Sequence, residues 1–307
     1  MNHPDWYHKA NDAQRFDSRE NFHKYIKQIQ WRYDGEDSTI DIGCGSGDVL
    51  MDIVYPCLPK NFQTLVCSDI NPKMLNYARR QYGHMEKVQF QVLDIGTKKK
   101  LPNNLRHQFD HVISFYTLMW VQDQRQALEN IFNLLRPKCG DCLLVFLASH
   151  PLYEAYRMTS GNSKWSEYMY DIDSIISPFQ YVDQPAEKYV DLMSQVGFTK
   201  SEVRLLQKQF TYESFDVFRA NMKAVNPFIH RIPMALHEEF MDEVMFMYLK
   251  HMGLHEEEMD FKAKCSVSYG LLVAFGRKAK FSARERFRRN LLEICELRNL
   301  EKYSKIF

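Results

Sequence analysis

The chain lacks several features that would place it in a common functional class. It has no charged-then-apolar leader and no uncharged apolar run long enough for a membrane span, so secretion and stable membrane insertion are not expected. Its 40 basic and 39 acidic residues nearly cancel, and no basic face with interleaved aromatics occurs before Gly276, which argues against nucleic acid as a partner. We therefore expect a cytoplasmic globular protein of 307 residues that acts on a small molecule.

Cysteine is also sparse, with seven residues scattered along the chain. An odd, scattered set predicts reduced thiols and not a disulfide framework. Cys139 and Cys142 form a CxxC pair, but no second pair follows, which disfavours a zinc or redox site. The sequence contains neither HExxH nor GxSxG, so no motif supports a metalloprotease or a serine hydrolase. We expect no bound metal.

The most informative segment present is DIGCGSGD, residues 41–48, which follows an apolar strand start and leads into a helix-like run at residues 49–54. Glycine lets the backbone turn sharply and lets a ligand approach the main chain. The glycines of this segment are Gly43, Gly45 and Gly47. Their spacing is GxGxG, and Asp48 stands where a dinucleotide motif would have its third glycine. The loop therefore predicts a nucleoside cofactor other than NAD.

Three successive predicted strands each carry an aspartate toward the same edge of the sheet: Asp41, Asp69 and Asp94. S-adenosylmethionine has an ammonium, a sulfonium and two ribose hydroxyls but no phosphate, so its site needs acceptors. We expect Asp69 to bind the ribose, Asp94 the adenine amino group, and Asp41 with the loop carbonyls the methionine ammonium. Each acid alone is as often a turn or cap residue, but the set favours this cofactor.

Strands and helices alternate along the first half of the chain, which predicts an α/β fold with a doubly wound, mostly parallel sheet. The predicted strands are centred near Ile40, Val66, Gln89, Val112 and Val145, and the predicted helices cover residues 49–54, 72–81 and 125–135. Further along, residues 186–196 predict a helix, residues 202–206 a strand, and residues 267–275 a final antiparallel strand.

We divide the chain into four parts: an N-terminal helical cap, residues 1–34; a cofactor-binding core, 35–149; the rest of the sheet with lid insertions, 150–276; and a basic tail, 277–307. Residues 151–181 are rich in aromatic side chains and are predicted to form an irregular lid. Residues 212–252 are predicted to form a helical insertion. Most Met and Phe residues of that insertion are interpreted as core. The tail is predicted to be a solvated or self-packing helix.

Three residues are candidates for contacting the group that reacts with the cofactor. Trp120 follows the fourth strand, and its indole N–H is a donor that would bind an anionic oxygen while its ring forms an apolar wall. A core anchor is the alternative interpretation. Tyr7 and Gln14 lie in an N-terminal stretch that would fold over the cofactor and present a neutral donor.

Several segments together resemble insect juvenile hormone acid methyltransferases, a class I S-adenosylmethionine-dependent family with a Rossmann-like fold. They are YHKANDAQR, DGEDSTIDIGCGSGDVL, FQVLDI, FDHVISFYTLMWVQDQRQAL with NLLRP, GDCLLVFLAS, and KWSEYM with ISP. The resemblance covers most of residues 1–277 and implies that Gln14 and Trp120 grip the substrate carboxylate. It also implies a cofactor site formed by Asp41, Gly43, Gly45, Asp69, Ile70, Asp94, Ile95 and Ser114. Met119 departs from the family, which often has His there.

The implied reaction is methylation of the carboxylate of farnesoic acid or juvenile hormone acid, with Gln14 and Trp120 as catalytic residues and S-adenosylhomocysteine as the second product. A carboxylic acid with a pKa of ~4 to 5 is already ionised, so no general base is needed. The terpenoid chain would need an apolar cavity. Its candidate residues are Phe115, Tyr116, Trp165, Tyr168, Ile172, Ile176, Phe179, Val225 and Phe228.

Two alternatives remain open at the level of sequence. A class I methyltransferase for another carboxylic acid, such as a fatty acid, would keep the cofactor site and change the lid. The few Arg and Lys residues at 149–181 argue against a polycarboxylic acid. A noncatalytic terpenoid-binding paralogue would bind the sesquiterpenoid acid without methyl transfer, although intact acids at the cofactor site argue against it. Assembly as a homodimer is also left open.

Overall fold

A computed structural model describes residues 4–137, 140–255 and 260–278, which form one seven-stranded sheet with helices around it. The strands are β1 Ser38–Ile42, β2 Thr64–Asp69, β3 Val88–Val92, β4 His111–Phe115, β5 Gly140–Ser149, β6 Lys200–Tyr212 and β7 Cys265–Lys278. Their order is β3-β2-β1-β4-β5-β7-β6; β1 to β5 are parallel, and β7 is antiparallel to both β5 and β6. The predicted doubly wound sheet with an antiparallel last strand is confirmed. Cys139 and the basic tail from residue 279 on lie outside the described residues.

Helices pack on the sheet and form the lid. The α-helices are α1 Pro4–Lys9, α2 Asp12–Tyr25, α3 Pro72–Tyr82, α4 Gln124–Leu134, α5 Pro151–Ser160, α6 Ile172–Ile175, α7 Pro185–Val196, α8 Phe215–Val225 and α9 His237–Met252. The run after the glycine loop forms a π-helical segment, Leu50–Val54. Capping explains several starts: the side chain of Asn71 accepts the Lys73 N–H at α3, and that of Asp123 accepts the Gln126 N–H at α4. None of the described helices has the length and apolar character of a membrane span.

Apolar side chains form two clusters. The larger cluster fills both faces of the sheet, and the smaller one joins α5, α8 and α9 in the lid. Trp120 packs against both clusters, and so does Phe210. Trp120 therefore lies at the junction of the sheet core and the lid.

The prediction of an irregular lid is wrong for its first part, because residues 151–160 form α5. The Nδ1 atom of His150 accepts the Leu152 N–H at 3.1 Å, and Pro151 occupies the first turn, where its missing N–H costs nothing. Tyr153 and Tyr156 are three residues apart and bury the same face of this helix. The predicted strand at residues 202–206 is also longer, because β6 pairs with β7 along its full length.

The amino end of the sheet holds a buried ionic cluster. The Nε2 and Nδ1 atoms of His111 lie 2.8 Å from Asp37 and 2.7 Å from Asp141, respectively. Burial by itself lowers the pKa of His111, but the hydrogen bonds to Asp141 and Asp37 outweigh it and raise that pKa to about 9. The charged imidazole therefore ties together the starts of β1, β4 and β5.

Candidate active site

The glycine loop forms one wall of a crevice at the carboxyl ends of the strands. Gly43, Gly45 and Gly47 have φ values of +75°, +58° and +86°, a region that residues with a Cβ rarely adopt. A Cβ on Gly43 would lie 2.0 Å from Thr117 Oγ1. The loop is held to β2, because the N–H groups of Gly43 and Cys44 donate to the Ser68 carbonyl. The conformation favours glycine at all three positions, and at Gly43 the lack of space excludes any side chain.

The acids at the carboxyl ends of β2 and β3 reach the same crevice. Asp69 accepts the N–H groups of Gly45 and Asn71 at 3.0 and 2.7 Å, and burial raises the pKa of its carboxyl. Asp94 is exposed and accepts the Gly96 N–H at 2.9 Å. The structure therefore brings two carboxylates to one side of the crevice, as the strand ends predicted. The predicted cofactor residues that line it are Gly43, Gly45, Asp69, Ile70, Asp94 and Ile95.

The other two predicted cofactor residues lie behind the crevice wall. Asp41 is 2% exposed, and its Oδ1 atom has no hydrogen-bond partner among the described residues. Burial and then the charge of Asp69 raise the pKa of Asp41 well above its ordinary value. Ser114 is buried and donates to the Ile42 carbonyl at 2.9 Å. Because its hydroxyl is engaged by the backbone, Ser114 braces β1 against β4 and does not line the crevice.

These residues fit S-adenosylmethionine better than a phosphate-bearing cofactor. Asp69 and Asp94 line the crevice and supply acceptors, and Asp41 adds a buried Oδ1 atom that has no hydrogen-bond partner among the described residues. Arg231, at the lid side of the crevice, is held by Asp171 in a pair with distances of 2.5 and 2.8 Å. A phosphate would therefore compete with a carboxylate for this guanidinium. The described residues contain no group of His, Cys, Asp and Glu suited to a metal ion.

A second, narrower chamber adjoins the crevice. Its lining is Tyr7, Ala13, Gln14, Tyr116, Met119, Trp120, Leu147, His150, Leu152, Tyr153, Tyr156, Tyr212, Met222, Val225 and Tyr269. No aspartate, glutamate, lysine or arginine occurs among these described residues. Tyr7, Tyr116, Trp120 and Val225 line the chamber and the crevice alike. These shared residues mark the place where two ligands would meet.

Gln14 and Trp120, the predicted catalytic pair, both line the chamber. Among the described residues, neither the Gln14 side-chain amide nor the Trp120 indole N–H has a hydrogen-bond partner, although the Gln14 carbonyl accepts the Ser18 hydroxyl. Both groups are neutral donors. The structure therefore places two unpartnered donors in a chamber without charged side chains.

A buried aspartate fixes the helix that carries Gln14. Asp17 is 0% exposed, and its Oδ2 atom accepts the hydroxyls of Tyr116 and Tyr269 at 2.5 and 2.7 Å. Lys208 Nζ lies 3.2 Å from the Oδ1 atom of Asp17 and supplies the compensating charge. These contacts hold α2 over the ends of β4 and β7.

A second set of contacts ties α2 to the glycine loop. Asp48 accepts Asn11 Nδ2 at 2.8 Å and Arg15 Nη1 at 2.5 Å, and it also accepts the Ser46 hydroxyl. Arg15 Nη2 reaches Asp52 at 2.7 Å. Burial would raise the pKa of Asp48, but the hydrogen bonds that it accepts outweigh this and lower the pKa. The position of Gln14 is therefore coupled to that of the loop.

Several residues predicted to line the substrate cavity fill the cores instead. Phe115 packs edge-on against Phe22, and Trp165 packs edge-on against Phe240. The other predicted cavity residues outside the chamber also pack against neighbouring side chains, because large apolar residues are stabilised by burial against one another. Ile176, Phe179 and Phe228 are buried in the two clusters, whereas Tyr168 and Ile172 are half-buried and pack against the lid cluster. Of the predicted cavity residues, Tyr116 and Val225 line the chamber with Gln14 and Trp120.

Sequence reasoning missed the chamber wall contributed by α5. His150, Leu152, Tyr153 and Tyr156 line the chamber, and Met222 of α8, interpreted as core, does so too. The pattern that could have revealed them is His-Pro followed by tyrosines three residues apart, which is typical of a capped helix with an aromatic face.

Comparison with known proteins agrees with this geometry. Residues 40–140 match a family described as a methyltransferase domain. The chain is 44% identical over 278 residues to the juvenile hormone acid O-methyltransferase of Drosophila melanogaster, covering 91% of this chain and 93% of that protein. It is 38% identical to the protein of the same name from Bombyx mori, covering 79% of this chain and 84% of that one.

Solved structures show the same fold. The YcgJ protein from Bacillus subtilis aligns with a TM-score of 0.55 and 16% identity, over 85% of this chain and 99% of that one. At this level of identity the likeness concerns the fold alone.

Proposed function

The chain belongs to the juvenile hormone acid O-methyltransferase family, and on this premise we propose that it methylates the carboxylate of farnesoic acid or juvenile hormone acid. The methyl donor is S-adenosylmethionine. The observation that carries this proposal is a pair of neutral donors, Gln14 and Trp120, that have no partner among the described residues and line a chamber adjoining the cofactor crevice. A carboxylate bound by this pair would lie next to the wall shared by both spaces.

The neutrality of the two donors matters for the chemistry. When bound, S-adenosylmethionine would supply an electrophilic methyl group; the carboxylate oxygen would bond to that methyl carbon as the carbon–sulfur bond breaks and S-adenosylhomocysteine leaves. Gln14 and Trp120 bind the anion through N–H groups that cannot protonate it. The carboxylate therefore stays ionised and nucleophilic, and no side chain has to remove a proton.

Tyr7 adds a third neutral group at the junction. Its ring lies over the glycine loop, where a Cβ on Gly45 would be 3.2 Å from Tyr7 Cε1. Burial, followed by the charges of Asp48 and Asp69, raises the pKa of the Tyr7 hydroxyl well above its ordinary value. Tyr7 therefore stays protonated, shields the transferred methyl group from water and adds no charge.

The charge-free chamber favours transfer of the methyl group. A carboxylate and a sulfonium lose their opposite charges along the reaction, so an apolar surrounding destabilises the reactants more than the transition state. Alignment of the two groups can contribute up to about 7 to 11 kcal/mol. The fixed position of α2, held by Asp17 and Asp48, would provide that alignment.

We further propose roles for the acids of the crevice. Asp69, with its two backbone N–H partners, is oriented to accept from the ribose hydroxyls, and the exposed Asp94 from the adenine amino group. The unpartnered Oδ1 atom of Asp41 would act through water on the methionine ammonium. Asp41 would bind as the anion, because the ammonium offsets the burial that raises its pKa.

The test is methyl transfer from labelled S-adenosylmethionine to farnesoic acid, juvenile hormone acid, a saturated fatty acid of similar length and a dicarboxylic acid. We expect turnover of the two terpenoid acids and little of the others. Turnover of the fatty acid alone would identify a class I methyltransferase that acts on another carboxylic acid. Binding of the cofactor and the terpenoid acids without turnover would identify a noncatalytic paralogue.

A further inference from the structure

The chamber wall formed by α5 carries polar groups that methyl transfer does not use. His150 and Tyr153 line the chamber but not the cofactor crevice. Around them the lining is apolar or aromatic, as at Leu147, Leu152 and Met222. Donors in such a wall are costly to bury unless a ligand pairs with them.

The hydroxyl of Tyr153 is buried without a partner. Tyr153 is 3% exposed, and its hydroxyl oxygen has no hydrogen bond to any described residue. Burial raises the pKa of this hydroxyl, so it remains a neutral O–H group. A buried hydroxyl without a partner destabilises the protein, and an acceptor on a ligand would relieve that cost.

The imidazole of His150 presents a second neutral donor. Its Nδ1 atom accepts the Leu152 N–H at 3.1 Å, so the neutral ring carries its proton on Nε2. Burial lowers the pKa of His150 to about 4, which keeps the ring uncharged at physiological pH. The ring stacks on Tyr269 with centroids 5.8 Å apart, and no described residue bonds to Nε2. The orientation of this donor is therefore fixed from two sides.

We propose that His150 Nε2–H and the Tyr153 hydroxyl form a subsite for one uncharged oxygen, of the ether or epoxide type, on the hydrocarbon chain of the acid. The proposal rests on the proposed function and extends it to the oxidation state of the substrate. A bare hydrocarbon would leave both donors unpaired. A second carboxylate would call for a cation, and the described chamber lining has neither arginine nor lysine.

The experiment compares farnesoic acid with its terminal epoxide in the wild type and in Tyr153→Phe, which removes the hydroxyl and keeps the ring. We expect kcat/KM for the epoxide to fall about three- to tenfold, and kcat/KM for farnesoic acid to stay within about twofold. Tyr189→Phe is the matched control, because Tyr189 is also buried with an unpartnered hydroxyl but packs in the sheet core. Tyr189→Phe should leave the ratio of kcat/KM for the two acids unchanged.

A second variant and a binding measurement guard against loss of folding. His150→Asn keeps a side chain that can cap α5 and removes the Nε2 donor, so it should also lower the epoxide preference. Dissociation constants of both acids, measured with S-adenosylhomocysteine present, should show the same change in ratio. Equal losses for both acids, or no change in either variant, would overturn the subsite. Absence of turnover of both acids by the wild type would instead overturn the proposed function, while the binding ratio would still test the subsite.

Discussion

At the amino ends of β1, β4 and β5, His111 lies between Asp37 and Asp141 with each ring nitrogen against a carboxylate. At the carboxyl ends of the same sheet, Asp41 Oδ1 and the Trp120 indole have no partner in the part of the chain that the structure describes. One end uses buried charges to hold strands together, and the other leaves polar groups for ligands. We therefore expect changes at the amino end to alter stability, and changes at the carboxyl end to alter binding and turnover.

The largest effect is expected at the carboxyl end for Gly43→Ala. The new methyl group would meet Thr117 Oγ1 at 2.0 Å and Thr117 Cβ at 2.7 Å, so a rotation of the Thr117 side chain cannot remove the clash. Overpacking and a φ of +75° together should cost about 2 to 5 kcal/mol, and any protein that folds should bind S-adenosylhomocysteine poorly. Thermal unfolding and titration calorimetry measure the two effects.

Gly253→Ala separates conformational strain from the clash. Gly253 ends α9 with a φ of +68°, and nothing lies within 4 Å of its added Cβ. This variant should lose about 1 to 2 kcal/mol of stability and retain cofactor affinity. A loss of affinity equal to that of Gly43→Ala would show that the glycine loop has no special role.

At the amino end we expect a pH effect on stability alone. The pKa of His111 is about 9 in the folded protein and about 6.5 when unfolded, so its contribution is complete below about pH 6.5. It should decline as pH rises and be lost above about pH 9, a change on the order of 3 kcal/mol. Urea unfolding between pH 6 and pH 10 would follow this decline, while kcat in the native range should be unaffected by it.

His111→Asn provides the variant for that measurement. It should be less stable than the wild type at pH 6, and its unfolding free energy should depend less on pH up to pH 9. His23→Asn, an exposed histidine on α2, is the matched control and should keep the wild-type pH dependence. A wild-type profile for His111→Asn would mean that His111 is uncharged in the fold.

For Arg15→Gln we expect a smaller effect, on both turnover of the acid and binding of the cofactor. Arg15 ties α2 to Asp48 and Asp52, so losing it should loosen both the glycine loop and the helix that carries Gln14. We expect about 1 to 2 kcal/mol, or roughly five- to thirtyfold, in kcat/KM for the acid and a measurable loss of cofactor affinity.

Arg219→Gln is the control for Arg15→Gln. Arg219 also pairs with two carboxylates, Glu238 and Asp242, but it lines neither the crevice nor the chamber. It should change stability slightly and leave both kinetic constants near the wild-type values. If the two arginine variants behave alike, the link between α2 and the loop does not position the site.

The cofactor crevice could be predicted from the sequence because its residues are local. Asp69 ends β2, Asp94 lies two residues after β3, and the glycine loop is one short segment, so parallel strand order alone brings them together. Asp41 and Ser114 lie at the same edge of the sheet but are buried behind the crevice lining, and their roles in cofactor binding stay predictions. A strand pattern predicts the edge of the sheet at which a residue lies. How deeply its side chain is buried depends on which backbone groups it bonds to.

The chamber could not be predicted in the same way, because it is assembled from distant elements. His150 and Tyr153 reach it from α5, Tyr269 from β7 and Tyr7 from α1, and no periodicity relates them. Apolar residues such as Trp165 were predicted to line it because composition does not distinguish a core side from a cavity side. Residue type and position indicate Gln14 and Trp120 as candidate donors, and the family resemblance implies that they grip a carboxylate. The structure adds that neither side-chain donor has a hydrogen-bond partner among the described residues.

Trp120→Phe tests most directly whether neutral donors at the junction hold the carboxylate. The measurement is kcat/KM for farnesoic acid alongside the dissociation constant of S-adenosylhomocysteine. Loss of one hydrogen bond to a charged group should lower kcat/KM roughly 10- to 100-fold and leave the cofactor affinity within about twofold. An equal loss in both quantities, or full activity, would contradict the assignment and make Trp120 a packing residue.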